Sequence, residues 1–465
     1  MTEHIGIIGL GVMGRNLALN MVDQGVSVAG YDRSAAARDL AAAAALQTVD
    51  SPQVLIARLP QPRRILLMVP AGAPVDGAIS ELQPLLARGD LLIDGGNSHF
   101  TDTARRTQAL AAAGIDFLGL GVSGGEEGAR KGPSLMVGGS RAAYSAVEPI
   151  LTAIAARAAD GAPCVALLGP RGAGHYVKMV HNGIEYGVMQ LIAETYDLLH
   201  RSVGLEAAEL HQLFHEWNQC ELASFLMEIT ADIFTHIDAE TGRPLLDLIS
   251  DRAGQKGTGK WTSQHALDLG TAVPTLAAAV GSRHLSARKA EREEAAALYR
   301  FSPKTIEGGM AQLLEDARDT LYAATLCVYF QGMALLHAAS RELDYQLNLA
   351  TVASIWRAGC IIRAALLDHI AAAYDRHPDQ PNLLLDEQLS ETIRSREGAW
   401  RRVAGVAVTS GIPMPGTLAA LSYFDSYRRR RLPANLIQAQ RDYFGAHTFE
   451  RLDRAGSFHH EWRRT

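Results

Sequence analysis

The segment IGIIGLGVMGRNLALN, residues 5–20, dictates how the first third of this chain must fold. Residues 5–8 read as a short Ile-rich strand, and Gly9, Gly11 and Gly14 follow it directly in the spacing GxGxxG, opening a helical run over residues 14–24. The three glycines have separate duties. Gly9 permits a tight turn, Gly11 lets a pyrophosphate approach the backbone, and Gly14 lets helix and strand pack closely. With Leu10, Val12 and Met13 they form a loop at a helix N-terminus, where free N–H groups face an anion. A second strand over residues 26–31 leads into Asp32, an acid placed where a dinucleotide ribose would lie. Asp32 favours a free 2′-hydroxyl and so NAD, whereas Arg33 beside it can stack on adenine and pair with a 2′-phosphate, favouring NADP. The residues pull both ways.

Further strands are expected over residues 65–69, 91–93, 115–118 and 164–168, with Ala-rich helices such as 35–46 between them. That alternation implies a parallel, doubly wound Rossmann-type sheet, an α/β unit over residues 1–172. Val69 and Asn97 stand at or just beyond strand C-termini, where such sheets bind ligands, and Asn97 is expected near the nicotinamide. After Gly169, Pro170, Arg171 and Gly172 the β-branched runs give way to long helix-period segments, so residues 173–432 read as an all-helical domain. A tail, 433–465, follows the basic run Arg428, Arg429, Arg430, Arg431. Its aromatic load (Tyr443, Phe444, His447, Phe449, Phe458, Trp462) is too high for a free tail, and a partner subunit is the candidate surface.

The length of 465 residues suggests two or three domains, and 48% hydrophobic with 20% charged residues is an ordinary globular composition. A net charge of −6 argues against nonspecific nucleic-acid binding, so any anionic ligand must be held by local cations. The four cysteines are scattered, without metal-site or disulfide spacing. The first strand begins after four residues, leaving no room for a signal segment, and no later stretch reads as a membrane span; a cytoplasmic protein is expected.

Within the helical part, Lys178, His181, Asn182 and Glu185 recur at helical intervals of three, four and seven, a polar stripe on a rod otherwise lined by Val177, Met179, Val180, Ile184 and Val188. A self-paired Lys/Glu stripe on a solvated helix is the ordinary alternative, but the apolar surroundings favour a reaction-site lining. Upstream, Ser123, Gly124 and Gly125 in GVSGGEEGA could grip a carboxylate through a hydroxyl and backbone amides. Glu126 and Glu127 resemble acid catalysts, but acidic side chains pointing outward from a Gly-rich turn account for them at least as well, and they are left out of the chemistry. The run Gly254 to Lys260 imitates a phosphate loop, but Trp261 occupies the Ser/Thr position and no strand precedes it.

GLGVMGRNLALN, RRILLMV, IDGGN, GVSGGEEGARKGPS, GAGHYVKMVHNGIEYGVMQLIAE, KGTGKWTSQ, IWRAGCIIRA and LPANLIQAQRDYFGAHT, spread over residues 9–448, together resemble the decarboxylating 6-phosphogluconate dehydrogenase family. The resemblance implies a Rossmann-type domain, a large helical domain and a C-terminal tail reaching into the other subunit of a homodimer. It implies oxidation of 6-phosphogluconate at C3 with loss of carbon dioxide, giving ribulose 5-phosphate, with no metal required. On the same basis Lys178 is the general base and Glu185 the acid that protonates C1 of the enediol. Asn97, Ser123, Gly124, Gly125, His181 and Asn182 would bind substrate, Tyr186 would reach toward its phosphate, and Lys256, Thr258, Arg283 and the partner tail's Arg441 and His447 would hold it. The base role needs a lysine neutral near pH 7, which a desolvated helix face provides. Asp32 replaces the family's usual Asn and Pro70 its frequent Lys, while Arg33 and Ser34 keep the 2′-phosphate pattern, so NADP is expected with NAD possible. Two alternatives are a related β-hydroxyacid dehydrogenase acting on a small acid without decarboxylation, and a cofactor-binding regulatory protein that has lost catalysis.

Overall fold

A computed structural model describes residues 4–255, 257–300, 304 and 309–462. The N-terminal part is an eight-stranded sheet: β1 (Ile5–Ile8), β2 (Val28–Tyr31), β3 (Gln47–Thr48), β4 (Arg64–Leu67), β5 (Leu91–Asp94), β6 (Asp116–Ser123), β7 (Ser134–Gly138) and β8 (Val165–Gly169), in the order β3-β2-β1-β4-β5-β6-β7-β8. Helices α1 (Val12–Asp23), α2 (Ala35–Ala43), α3 (Pro52–Arg58), α4 (Ala73–Leu82), α5 (Phe100–Ala112), α6 (Gly125–Lys131), α7 (Arg141–Ser145) and α8 (Glu148–Ile154) connect or flank the strands. All four residues of β1, β2 and β5 are buried, as a sheet covered on both faces requires. Chain order reverses between β1 and β4, which opens a crevice at their C-terminal ends.

The parallel, doubly wound sheet expected from the sequence is present, with its last two strands reversed in it. β1 to β6 are parallel, but β7 runs antiparallel to β6 and β8 follows β7 in parallel. The β6–β7 connection is short, carrying only α6 between the strands, and returns the chain beside β6 in the opposite sense. β6 also continues past residue 118 to Ser123, because Gly119 and Gly121 interrupt its apolar run without ending it.

The rest is helical: α9 (Ala173–Leu198), α10 (Ala207–Trp217), α11 (Phe225–Ile233), α12 (Thr258–Asp268), α13 (Pro274–Ser286), α14 (Lys289–Tyr299), α15 (Met310–Glu342), α16 (Leu349–Ile355), α17 (Leu366–Arg376), α18 (Glu387–Arg394), α19 (Glu397–Ser410), α20 (Pro415–Tyr427) and α21 (Ala434–Gly445). α15 is long and apolar enough to cross a membrane by length and composition, against the expectation that no segment is. It is instead a core helix, with 83% of its most apolar window buried inside the protein.

α9 is the axis of the molecule. Small residues let its neighbours close on it: a Cβ on Gly183 would lie 2.6 Å from Thr262 of α12, one on Gly187 2.7 Å from Val328 of α15, and one on Gly259 2.5 Å from the Tyr186 ring. Buried Glu194, near its C-terminal end, accepts hydrogen bonds from the Gly416 and Thr417 N–H groups, satisfying the start of α20. After α21 a two-stranded hairpin, β9 (Phe449–Glu450) and β10 (Ser457–Phe458), closes the tail.

Candidate active site

β6 presents Gly119, Gly121 and Ser123 on one face at the two-residue period of a strand, and α9 sets His175, Lys178 and His181 against them at three-residue intervals. A Cβ on Gly119 would sit 2.9 Å from His175 Nδ1, and one on Gly121 2.6 Å from Lys178 Cβ. At the third rung Ser123 Oγ meets His181 Nε2 at 3.1 Å. The glycines are therefore the space in which the lysine lies, and Lys178 is fixed directly against the sheet.

A chain of hydrogen bonds runs on from Ser123. His181 Nδ1 lies 3.0 Å from Asn182 Oδ1, and Asn182 Nδ2 donates to Thr258 Oγ1 at 2.9 Å. Since Asn182 Oδ1 can only accept, the neutral ring carries its proton on Nδ1 and accepts a hydrogen bond from the Ser123 hydroxyl at Nε2. Burial, seconded by the Lys178 charge, holds His181 well below the ordinary histidine value, in keeping with that neutral form. Trp356 sets an edge against the ring, 5.7 Å between centroids.

Lys178 is 6% exposed, and desolvation lowers its pKa against the opposing pull of Glu185. Desolvation likewise raises Glu185, whose side chain is 21% exposed, against Lys178 and Arg283. The two groups feel each other's charge, yet burial prevails at both and shifts each towards its uncharged form. Cys360, also close to Lys178, has its thiol pushed up to about 12 by burial and donates to Trp356 O at 3.1 Å, so it stays protonated and does not compete as a base.

Beyond the stripe, the Arg283 guanidinium lies 3.5 Å from the centre of the Tyr186 ring and donates to Gly254 O at 2.9 Å. Thr258 opens α12 behind Gly257, whose φ of +97° suits glycine, so the first amides of that helix flank Thr258. Lys256 lies outside the described residues. Gly124 and Gly125 both have positive φ, +113° and +64°, as the turn after Ser123 demands. Glu126 lies 3.5 Å from Asn16 and Glu127 pairs with Lys131, so both acids are occupied away from the stripe.

Arg441 and His447 do not join these residues through their described contacts. Arg441 bonds Gln438, and His447 packs on Phe444. The tail is organised around Asp442, which accepts from Thr448 N, His459 Nδ1, His460 N and Trp462 Nε1, contacts that hold its carboxyl well below the usual range. Leu436, Phe444 and Leu452 remain 61%, 73% and 90% exposed.

The crevice at the sheet's switch point is a cavity of about 310 Å³ lined by Gly9, Gly11, Asp32, Arg33, Val69 and Pro70 and by Pro74, Ala78 and Glu81 of α4. Its glycine loop and the acid at the end of β2 are the lining that suits the adenosine and pyrophosphate part of a dinucleotide. A Cβ on Gly14 would stand 1.9 Å from Gly9 O, whereas one on Gly11 meets nothing within 4 Å, leaving open space where a pyrophosphate would pass. No side chain caps α1, so its first N–H groups are free, and Val12 and Met13 lie at that end. Leu10 is different from expectation: its side chain is buried and its N–H donates to Asp32 Oδ2 at 2.7 Å, so it supports the loop from beneath. Ser34 gives its N–H to Asp32 Oδ1 at 2.8 Å and its hydroxyl caps α2. Each Asp32 oxygen thus already accepts an amide, and the residue pins the glycine loop to the end of β2. Asn97 is exposed on the loop after β5.

Sequence reasoning missed the scaffold of that loop. Arg106 of α5, 2% exposed, donates to Asp76 (2.9 and 3.2 Å), Asp94 (3.2 Å), Ser98 (3.2 Å) and Gly72 O (3.0 Å), tying together the segments after β4 and β5. An arginine on an alanine-rich helix carries no local sign of this. Gly119 and Gly121, by contrast, alternate visibly in DFLGLGVS and could have marked the Lys178 seat.

A dinucleotide crevice on the same sheet that seats a buried amine and its companion carboxyl defines a nicotinamide-dependent dehydrogenase. Comparison with known proteins makes this specific. The family described as NAD binding domain of 6-phosphogluconate dehydrogenase matches residues 4–169, and that described as 6-phosphogluconate dehydrogenase, C-terminal domain, matches residues 174–462. A 6-phosphogluconate dehydrogenase, decarboxylating, from Synechococcus elongatus is 55% identical over 99% of both chains, and an NADP(+)-dependent one from Bacillus subtilis is 52% identical over 99% of both. The structure of Plasmodium falciparum 6-phosphogluconate dehydrogenase, described with NADP+ and with 6-phosphogluconate, superposes with a TM-score of 0.96 at 40% identity, covering 99% of this chain and 100% of that one. This chain belongs to the decarboxylating 6-phosphogluconate dehydrogenase family.

Proposed function

We propose that the protein oxidatively decarboxylates 6-phospho-D-gluconate to D-ribulose 5-phosphate and CO2 with reduction of NADP, the oxidative branch of the pentose phosphate pathway. The observation that carries this reading is the Lys178–Glu185 pair, a buried amine and a part-buried carboxyl on one helix face, each shifted by desolvation towards its neutral form.

Gly9, Gly11, the α1 N-terminus, Asp32 and Arg33 hold the cofactor, with Ser34, Val69 and Asn97 beside it; bound NADP supplies the acceptor for the C3 hydride. Lys178, as the neutral amine, takes the C3 hydroxyl proton in the same oxidation. Its ammonium then donates to the new C3 carbonyl oxygen. When the bond to the carboxyl carbon breaks, the electron pair left behind is stabilised as an enolate, which takes that proton to become the enediol. Glu185, holding a proton, delivers it to the carbon that lost CO2, which becomes C1 of the product, while the enediol hydroxyl gives its proton back to the Lys178 amine and the ketone forms. A rigid helix keeps acid and base at fixed separation. Ser123, His181 and Asn182 orient the hydroxyls and carboxylate with the Gly124–Gly125 turn, while Tyr186, Lys256, Thr258 and Arg283 receive the phosphate.

The active form is a cytoplasmic homodimer in which the partner's tail, folded around its own acid and apolar outside, covers the phosphate end with Arg441 and His447. The domains are 1–172, 173–432 and 433–465. The test is cofactor reduction with CO2 release on 6-phosphogluconate, with none on gluconate or 3-hydroxyisobutyrate. No turnover of the phosphorylated acid overturns the reading.

A further inference from the structure

The geometry points to Glu81 as a residue that sets cofactor selectivity, by holding Arg33 in an ion pair that a 2′-phosphate must displace. The inference rests on reading the crevice as an NADP site and concerns its adenosine end. Glu81 extends from the last turn of α4, whose Pro74, Ala78 and Leu82 line the same wall of the cavity. Its Oε2 accepts from Arg33 Nη2 at 3.0 Å, across the mouth from the end of β2.

The charge balance there is unusual for a phosphate subsite. Among the described residues lining the cavity Arg33 is the one cation, against two carboxylates, Asp32 and Glu81. Arg38, the nearby candidate for a second cation, is turned to the backbone, donating to Asp32 O at 2.8 Å and Arg33 O at 3.4 Å. Asp32 is likewise committed, one oxygen to Leu10 N–H and the other to Ser34 N–H, so its position is fixed by the loop it pins. Glu81 has no such anchor. Its only described partner is Arg33, on a pair whose side chains are 72% and 37% exposed, so the pair can open.

A cofactor ending in a 2′-hydroxyl leaves the pair intact and can stack on it. A cofactor ending in a 2′-phosphate must draw Arg33 away and then sit beside an unpaired carboxylate of its own sign. Glu81 thereby narrows the preference for NADP over NAD that Arg33 alone would create.

The test is calorimetric binding of 2′,5′-ADP and 5′-AMP to the full-length protein and to Glu81→Gln, in the wild-type and Arg33→Ala backgrounds. Glu81→Gln should tighten 2′,5′-ADP by roughly five- to tenfold and change 5′-AMP by less than about twofold, and with Arg33 removed the gain should shrink to about twofold or less. The kcat/KM ratio for NADP over NAD should rise in parallel. Equal shifts for both ligands, no shift, or a full gain surviving Arg33→Ala would each overturn the role of Glu81 while leaving the NADP site standing. A wild-type protein that binds neither fragment would overturn the site itself.

Discussion

Gly121→Ala tests whether the sheet positions Lys178 for the proposed reaction. The added Cβ would lie 2.6 Å from Lys178 Cβ, 3.2 Å from its Cγ and 3.1 Å from Gly174 O. Carbon atoms rest about 3.5–4.0 Å apart, so Lys178 or the first turns of α9 must retreat by about 1 Å. Overpacking of this kind costs about 1–3 kcal/mol of stability. The loss in rate should be larger, because a displacement of about 1 Å in a reacting group reduces turnover on the order of a hundredfold, equivalent to about 2.7 kcal/mol in the barrier. The assay is kcat for 6-phosphogluconate-dependent NADPH formation beside Tm and the affinity for 2′,5′-ADP, which should not move because the adenosine end is remote from β6. Gly405→Ala is the control: in α19 its Cβ meets nothing within 4 Å, so it should stabilise by about 0.5–1 kcal/mol and leave turnover alone. A Gly121→Ala enzyme with kcat within about threefold of wild type and an unchanged Tm would refute the reasoning, since 1 Å is the displacement that the rate argument requires.

Three other expectations follow from the same geometry. The kcat/KM profile should be bell-shaped, falling in acid as the depressed Lys178 gains a proton and in alkali as the raised Glu185 loses one; Glu185→Gln should keep the acid limb and lose the alkaline limb, and an unaltered bell would exclude Glu185 as the acid. Lys178→Met should abolish hydride transfer yet raise Tm. Between the depressed folded pKa and the ordinary value near 10.4 the unfolded amine binds a proton that the folded one lacks, so wild-type stability grows with pH there and the advantage of Met should narrow as pH rises; a lower Tm at neutral pH would contradict the desolvation argument. Arg106→Met leaves buried Asp94 without its cation and should cost about 3–5 kcal/mol in denaturant unfolding while weakening cofactor binding; a loss below about 1 kcal/mol would show that Arg106 is not the tie between the cofactor loops.

The legible parts of the molecule were those written in local periodicity. β1, the glycine turn and α1 follow from residues 5–24, and the stripe on α9 from spacing alone, because a helix face and a tight turn are each specified within a few residues. Strand direction is not local: nothing in SLMVG says that β7 returns antiparallel, since the turn through α6 sets it. Two-residue β3 is too short to carry a pattern. Asp32 was rightly placed at the end of β2, but its amide partners, Leu10 and Ser34, are contacts across a loop that composition does not disclose. Arg106 and Glu81 escaped for the same reason, being ordinary charged residues on helices until the strand ends assemble around them.

The docking of α9 on β6 bears on how the parts of such a protein can be inherited or exchanged. The change of texture at residues 169–172 invites a chimaera made there, with one parent's sheet and another's helices. His175, Lys178 and His181 are shaped to Gly119, Gly121 and Ser123, so that junction would divide a lysine from the space cut for it. A recombinant that keeps β6 and the first three turns of α9 from one parent preserves the fit, and the workable seam lies inside the helix, past His181, where the contacts turn from the sheet to α12 and α15.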